Sequence, residues 1–395
     1  GIPHTREIFD CFIHPLLEQI RTDAPEQIVV LAENRLGLRG PITSVRQAAR
    51  DLGLEPFPIP LAINYGGDNG RAPCEKVMTC DLFPCKIGAK NDLAVTLLPA
   101  AQRYGALIKD RTIATKLVLR GRKVGEVECL DLASDRRFKA RGTLVIVSCG
   151  AIPSAALLIR SGLQHVGRGG RLIGRRLMRH CSGIVVGMFP FKTNPERQFH
   201  KQVALTDFYY GRSDAKPIGP WGMIQALQTP PPEYIRAASP YGPLLGWIGA
   251  QTVKYQSFLL CLAEDLPNPR NRVELDPKRT DPHGMPLARV FHQYSRRDLA
   301  ARRALYRVAG RILRKAGSLF RIRMPIHTYS HAVGTCRFGT DPQHAVLDPW
   351  CRMFGTDNLY VVDGSFFPSS GGVNPSLTIA ANGFRVGHHL VEQWD

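Results

Sequence analysis

The stretch GTLVIVSCGAIPSAALLIRSG, Gly142–Gly162, sets the tightest constraint on the fold. Leu144–Val147 is an uninterrupted apolar run, and such runs belong to strands of sheets covered on both faces. The run meets a turn of small residues, Ser148–Ala151. A helix follows, with Pro153 in its first turn, where a missing N–H costs little. Strand, tight turn and helix in this order point to a parallel α/β sheet. Nucleotides bind beyond the carboxyl ends of such strands, so Ser148–Ala151 is a candidate cofactor-contacting turn.

Other segments place this unit in a longer plan. Residues 1–56 are hard to read; QIVVLAE, Gln27–Glu33, has strand character but no Gly-rich turn after it. CDLFPCKIGAKNDLAVTLLPAAQRYGALI reads as a turn at Gly88 and a helix with Leu93, Leu97, Leu98 and Ala101 at helical spacing. TIATKLVLRGRKVGEVECLDL alternates around Gly121 as a hairpin does. GRGGRLIGRRLMRH, Gly167–His180, has no strand before it and reads as a loop leading into a short helix. From about residue 183 to 325, proline, aromatics and short β-like runs suggest a second domain with an antiparallel sheet. Within it Asp298–Ala316 is a helix, with Leu305, Val308, Ala309, Ile312 and Leu313 as its apolar stripe. Ser295 and Asp298 form a capping box at its start, and Gly317 ends it. The last 65 residues return to α/β character. NLYVVDG is a buried strand that ends in Asp363-Gly364. The helix after it has Asn374 as N-cap and Pro375 as first residue, with Leu377, Ala381, Phe384 and His388 on one face.

Composition narrows the classes. No apolar run in the 395 residues reaches the roughly 18 that a membrane span needs. The opening GIPHTREIFDCFIHPLL lacks the pattern of a signal peptide, so a cytoplasmic location is expected, with the natural start upstream of Gly1. The net charge of +19 comes mostly from scattered arginines, with no basic block interleaved with aromatics. Solvated basic surface is the preferred reading over nucleic-acid binding. Cys74, Cys80 and Cys85 lack the paired spacing of structural zinc, so no metal is expected. Ten scattered cysteines suit buried thiols in a reducing compartment.

Two features carry chemistry. The Gly-rich approach Ser369–Gly372 and the helix start at Asn374-Pro375 suit close contact with a flat ring that becomes anionic. A capped C-terminal helix with a flexible lead-in explains the same residues. His331, in YSHAVGTCRFGTD, is either a structural histidine or the base of an alcohol oxidation, where a hydroxyl proton leaves as hydride departs.

SHAVGTCRFG followed by NLYVVDGSFFPSSGGVNPSLTIAAN and a final helix resembles the C-terminal signature of the glucose–methanol–choline (GMC) oxidoreductases. PCKIGAKNDL, ARGTLVIVSCGAIPSAALLIRSG, VGRGGRLIGRRLMRH and EDLPNPRNRVELDPKRTDPHGMP resemble further family segments in order, over residues 56–395. The resemblance implies FAD and oxidation of a small-molecule alcohol, sugar-like or sterol-like, with oxygen, a quinone or a cytochrome all open as electron acceptor. His331 matches the base. Asn374 matches the partner that positions the substrate oxygen, and with Pro375 after it looks more like the cholesterol-oxidase and bacterial sugar-dehydrogenase branches than the glucose-oxidase branch. Asp363 and Gly364 match contacts to the FAD pyrophosphate and ribityl chain. Phe367, Pro375, Ser376 and Leu377 match the flavin surround, Gly150 and Ala151 the second FAD turn, and Ala114 the adenine-side strand.

The implied class is α/β, α+β overall: a Rossmann-like FAD-binding sheet, incomplete at its N-terminus, with a second, antiparallel-sheet substrate domain. The expected division is 1–182 and 326–395 for FAD and 183–325 for substrate. The family's opening G-x-G-x-x-G unit has no counterpart here. The rival expectation is therefore a non-catalytic subunit whose FAD-binding half comes from a partner chain.

Overall fold

The computed structural model describes residues 41–66, 70–77, 83–195, 197, 199, 201–211, 219–238 and 242–393. The first described elements are α1 (Pro41–Arg50), β1 (Phe57–Pro58), α2 (Leu97–Arg103), β2 (Thr112–Arg120), β3 (Lys123–Asp131), β4 (Arg136–Ala140), β5 (Val145–Val147) and α3 (Ala151–Arg160). Then come β6 (Gly183–Met188), β7 (Val203–Leu205), β8 (Gly222–Leu227), α4 (Pro232–Ala238), α5 (Pro243–Thr252) and β9 (Gln256–Ala263). The last are β10 (Arg272–Thr280), β11 (Pro286–Phe291), α6 (Arg296–Lys315), β12 (Phe320–Pro325), β13 (Leu359–Val361) and α7 (Ser376–Glu392).

The two largest hydrophobic clusters among the described residues organise these elements. In the first, β5 and β13 pair in parallel, Leu359 opposite Val145 and Val361 opposite Val147. Their apolar side chains join Leu157 and Leu158 of α3, Met178, Val333 and Phe366 in one buried cluster. The β2–β3 hairpin turns where Gly121 takes φ +61°, and β4 extends it to three strands. The second core lies under a six-stranded antiparallel sheet, β1-β7-β8-β9-β6-β12. Helix α6 covers it with Leu305, Ala309, Ile312 and Leu313. Its capping box is present: Ser295 Oγ accepts from Asp298 N–H at 3.1 Å, and Asp298 Oδ2 accepts from Ser295 N–H at 2.8 Å.

Several sequence expectations change. Residues of α1 pack into the second core, and β1 pairs with β7, although both precede residue 182. The helix near residue 93 starts only at Leu97 and buries nothing; Leu93 and Leu98 are exposed. Ile146 is 52% exposed, so β5 is open on one side despite its apolar run. Helix α7 begins one residue late, with Pro375 at the cap position and no side-chain cap bond from Asn374. Its expected face is reversed: Leu377, Phe384 and His388 point outward, while Asn382, Arg385 and Val386 are buried beside Ala381. Gln27–Glu33 and Cys80 lie outside the described residues.

Candidate functional site

Parallel pairing of β5 with β13 brings Ser148–Ala151 and Asp363–Gly364 out of adjacent strand ends. The Asp363 carboxylate ties the two together. Its Oδ2 accepts from Gly150 N–H at 2.9 Å and from the Ser154 hydroxyl at 2.5 Å. Its Oδ1 accepts from Ser365 N–H at 2.7 Å and from the Ser365 hydroxyl. Gly150 has φ +90°, and the space where a Cβ would stand is open. Ala151 is buried, and its carbonyl accepts from the Thr335 hydroxyl at 2.6 Å. At Gly364 a Cβ would meet the Ala332 carbonyl oxygen at 3.1 Å, so glycine lets the His331 loop run against the strand end. Gly334 N–H and Cys336 N–H donate to the Gly364 and Ser365 carbonyls, each at 2.9 Å.

Phe367 is buried against Phe366. Ala114 lies elsewhere: its carbonyl accepts from Arg160 at 3.4 Å, at the far end of α3. Ten residues of helix separate it from Gly150, about 15 Å. The structure thus brings Gly150, Ala151, Asp363 and Gly364 together and leaves Ala114 a helix length away.

The second half of the site surrounds His331. An antiparallel bridge joins Met178 to Val333, which sets position 180 opposite position 331. His331 Nδ1 lies 2.9 Å from His180 Nδ1, with the rings edge to face. His180 Nε2 lies 2.9 Å from the Ser370 carbonyl oxygen. His180 is fully buried with φ +62°, a left-handed conformation that costs about 1–3 kcal/mol away from glycine. Asp265 holds it there, accepting from the N–H groups of Arg179 and His180 at 3.0 Å each. The same carboxylate faces His292 Nε2 at 3.3 Å, and Tyr294 donates to the His180 carbonyl at 2.8 Å. Arg179 stacks on Tyr329 at 4.3 Å and donates to the His327 and Thr328 carbonyls, which pins the loop before His331.

Burial sets the protonation here. It lowers His331 to about 4, with repulsion from His180 and Lys201 acting in the same direction. Burial also lowers His180, against the pull of Asp265. For Asp265, burial pushes upward, but hydrogen bonds from His292, the Arg179 N–H and Ser370, with attraction to His180 whenever that ring is protonated, win and hold it below the ordinary range. Burial raises Glu264 to about 7, opposed by Arg297 and by a hydrogen bond from Ser369. Near neutrality both histidines are uncharged imidazoles in a site that contains a carboxylate.

Gly372, in the approach to α7, has a packing role. A Cβ on Gly372 would press into the backbone of Gly222 on β8, and Met223 N–H donates to the Gly372 carbonyl at 3.1 Å. Gly372 is needed where the loop crosses a strand, a packing reason for glycine that the sequence did not indicate. Beyond the crossing Asn374 is exposed, Pro375 is buried, and Ser376 and Leu377 are exposed on the first turn of α7. Among the described residues no hydrogen bond joins His331 to Asn374; the chain of bonds from His331 runs to His180 and on to the Ser370 carbonyl. His180, Asp265, His292 and Ser370 were not singled out from the sequence. The available signal was the end of GRGGRLIGRRLMRH, where a histidine closes a segment that pairs with the His331 loop.

The residues present suit a dinucleotide cofactor at the strand ends. Gly150 offers open space, Ser148 and Cys149 are exposed, and the first turn of α7 presents free N–H groups. Among the described residues no His, Cys, Asp or Glu cluster is placed to hold a metal ion, and no helix is long and apolar enough to cross a membrane.

Comparison with known proteins gives the family and the fold. A family model described as GMC oxidoreductase matches residues 20–182, and a second with the same description matches residues 267–383. The chain is 34% identical over 361 residues to 6'''-hydroxyparomomycin C oxidase of Streptomyces lividus, covering 87% of this chain and 62% of that protein. It is 34% identical over 360 residues to paromamine 6'-oxidase of Streptomyces fradiae, covering 86% and 62%. Cholesterol oxidase of Mycobacterium tuberculosis (strain ATCC 25618 / H37Rv) is 25% identical over 404 residues, covering 87% and 66%. The chain therefore spans 62% of the length of the first two relatives. The crystal structure of pyridoxine 4-oxidase from "Mesorbium loti" aligns with a TM-score of 0.60 at 18% identity, over 89% of this chain and 69% of that one. At that identity the likeness concerns fold alone.

Proposed function

Because the chain belongs to the GMC oxidoreductase family, we propose that it oxidises a CH–OH group, with FAD as hydride acceptor and His331 as the base. The observation that carries this reading is His331 itself: neutral, half-buried, and pinned between the strand ends and the Gly-rich loop. When bound, FAD supplies an acceptor for the hydride that leaves the alcohol carbon. The hydroxyl proton passes to neutral His331, and the product is the carbonyl compound. Asn374 hydrogen-bonds the substrate oxygen from its exposed position ahead of α7. Gly150 and Ala151, with Gly364 and the Asp363 clamp, would hold the cofactor at the strand ends. Pro375, Ser376 and Leu377 would line its ring end, where the α7 N-terminus would favour negative charge. Phe367 backs the site from the core; Ala114, a helix length from Gly150, would serve only the far, adenine end of the cofactor.

Paromamine and cholesterol, compounds named in the relatives, are the first alcohols to test. Replacing His331 by Ala is expected to slow anaerobic flavin reduction at least about a hundredfold while FAD stays bound. An unchanged reduction rate removes the base role.

A second reading is favoured by one feature. Ile146, Leu377 and Phe384 are large apolar side chains left 52%, 39% and 44% exposed on β5 and α7. Such surface suits a subunit that takes up FAD only with a partner chain. FAD uptake by the chain alone separates the two readings.

A further inference from the structure

His180 takes no part in the reaction as proposed, yet among the described residues it is the one side chain that His331 hydrogen-bonds. We propose that His180 is a positioning residue that fixes neutral His331 in the tautomer protonated at Nδ1, so that Nε2 is the nitrogen free to accept the substrate proton. This rests on the reading of His331 as base.

The hydrogen-bond chain is solved from its fixed end. The Ser370 carbonyl oxygen can only accept, so His180 Nε2, 2.9 Å away, carries a proton. A neutral imidazole has one N–H, so His180 Nδ1 is then a bare acceptor. His331 Nδ1, 2.9 Å from that acceptor, must donate to it. The lone pair of His331 is thereby left on Nε2, which has no hydrogen-bond partner among the described residues.

The surroundings favour this assignment over a shared extra proton. Both rings are desolvated, and Lys201 opposes positive charge on His331. Asp265 and the Ser370 and Gly371 carbonyls favour charge on His180, but burial outweighs them, and the Asp265 oxygens are taken by the N–H groups of Arg179 and His180 and by His292. The other ionisable groups around the pair are Arg179, stacked on Tyr329 and Tyr294, and Glu264, which burial keeps largely protonated up to about pH 7. The left-handed backbone at His180 and its two-point hold by Asp265 aim the ring along this line.

The test reads tautomers directly. In chain labelled with ¹⁵N-histidine, without substrate, His331 is expected to show a pyrrole-type Nδ1 and a pyridine-type Nε2 at neutral pH. His331→Ala identifies the signals. His180→Gln, whose amide offers both an acceptor and a donor, is expected to keep that pattern; His180→Leu is expected to lose it. In FAD-loaded protein, His180→Leu is expected to slow flavin reduction at least about tenfold and His180→Gln to restore most of the loss. A protonated Nε2 on His331 in the wild type overturns the proposal, even if His331→Ala is inactive. A His331 protonated at Nδ1, with His331→Ala reducing flavin at the wild-type rate, overturns instead the base reading and with it any catalytic role for His180. If His180→Leu fails to fold, the wild-type tautomer and the His180→Gln rate still decide the matter.

Discussion

Replacing Asp363 by Ala should loosen the joint between β13 and α3, and the cost can be worked bond by bond. The carboxylate accepts from Gly150 N–H, Ser154 Oγ, Ser365 N–H and Ser365 Oγ. Two of these donors are hydroxyls that can turn, and Ser154 keeps a bond from Cys149 N–H at 3.1 Å. Losing them costs about 1 kcal/mol together. The two N–H groups are fixed by the backbone. Ser365 is fully buried, so its orphaned donor costs about 2 kcal/mol; Gly150 is only half-buried and costs about 1 kcal/mol. The sum is about 4 kcal/mol, a large share of an ordinary domain's stability. Urea unfolding followed by circular dichroism would read it as a lower midpoint at unchanged slope. Ser154→Ala should cost less, about 2 kcal/mol, because it removes the hydroxyl bond to Asp363 and the acceptor of the Cys149 N–H but leaves the Gly150 and Ser365 N–H bonds in place. An Asp363→Ala variant within about 0.5 kcal/mol of wild type would refute the idea that this carboxylate joins the two strand ends.

The remaining predictions concern protonation and one glycine. His331 is held near 4 in the folded chain against an ordinary value of 6.5, so the unfolded state binds more protons between those limits. Its contribution to stability is complete above pH 6.5 and falls by about 3 kcal/mol towards pH 4; comparing wild type with His331→Gln across that range isolates it. On the same ground the base limb of the rate profile should lie near pH 4, and a limb near 6.5 would contradict the burial of His331. Glu264 has the opposite sign. Its folded value of about 7 lies above the ordinary 4.5, so wild-type stability falls between those pH values. Glu264→Gln should remove that slope and be relatively more stable at pH 8 than at pH 5, read by thermal unfolding at both. Gly372→Ala drives a methyl into the Gly222 backbone; it should cost more than about 2 kcal/mol and shift the His180 ring resonances, as Ser370 moves away.

Local signals were legible in the sequence, and pairings across distance were not. The Gly121 hairpin, the Ser295 capping box and the β5–turn–α3 unit each depend on a few adjacent residues, and each stands where its residues indicated. Helix α7 shows the limit. Its apolar stripe predicts Leu377 and Phe384 inside, but Arg385 enters instead. It is held by Asn382 Oδ1 and the Pro349 carbonyl and lies over the Trp350 ring at 4.7 Å. No periodicity announces a buried arginine whose partners lie partly in another loop. The Gly-rich lead-in was visible, but glycine alone does not tell a ligand from a crossing strand. His331 could be singled out because its loop has a distinctive composition, whereas His180 is 151 positions away and gains meaning only from the Met178–Val333 bridge.

The central claim is that this chain oxidises an alcohol through FAD with His331 as base. The most direct measurement is the visible spectrum of the chain after FAD is added and free cofactor removed, followed anaerobically as paromamine is introduced. The account predicts a retained flavin band that bleaches in wild type and persists in His331→Ala. A band that bleaches equally fast in both proteins, or a chain that retains no flavin at all, would contradict it.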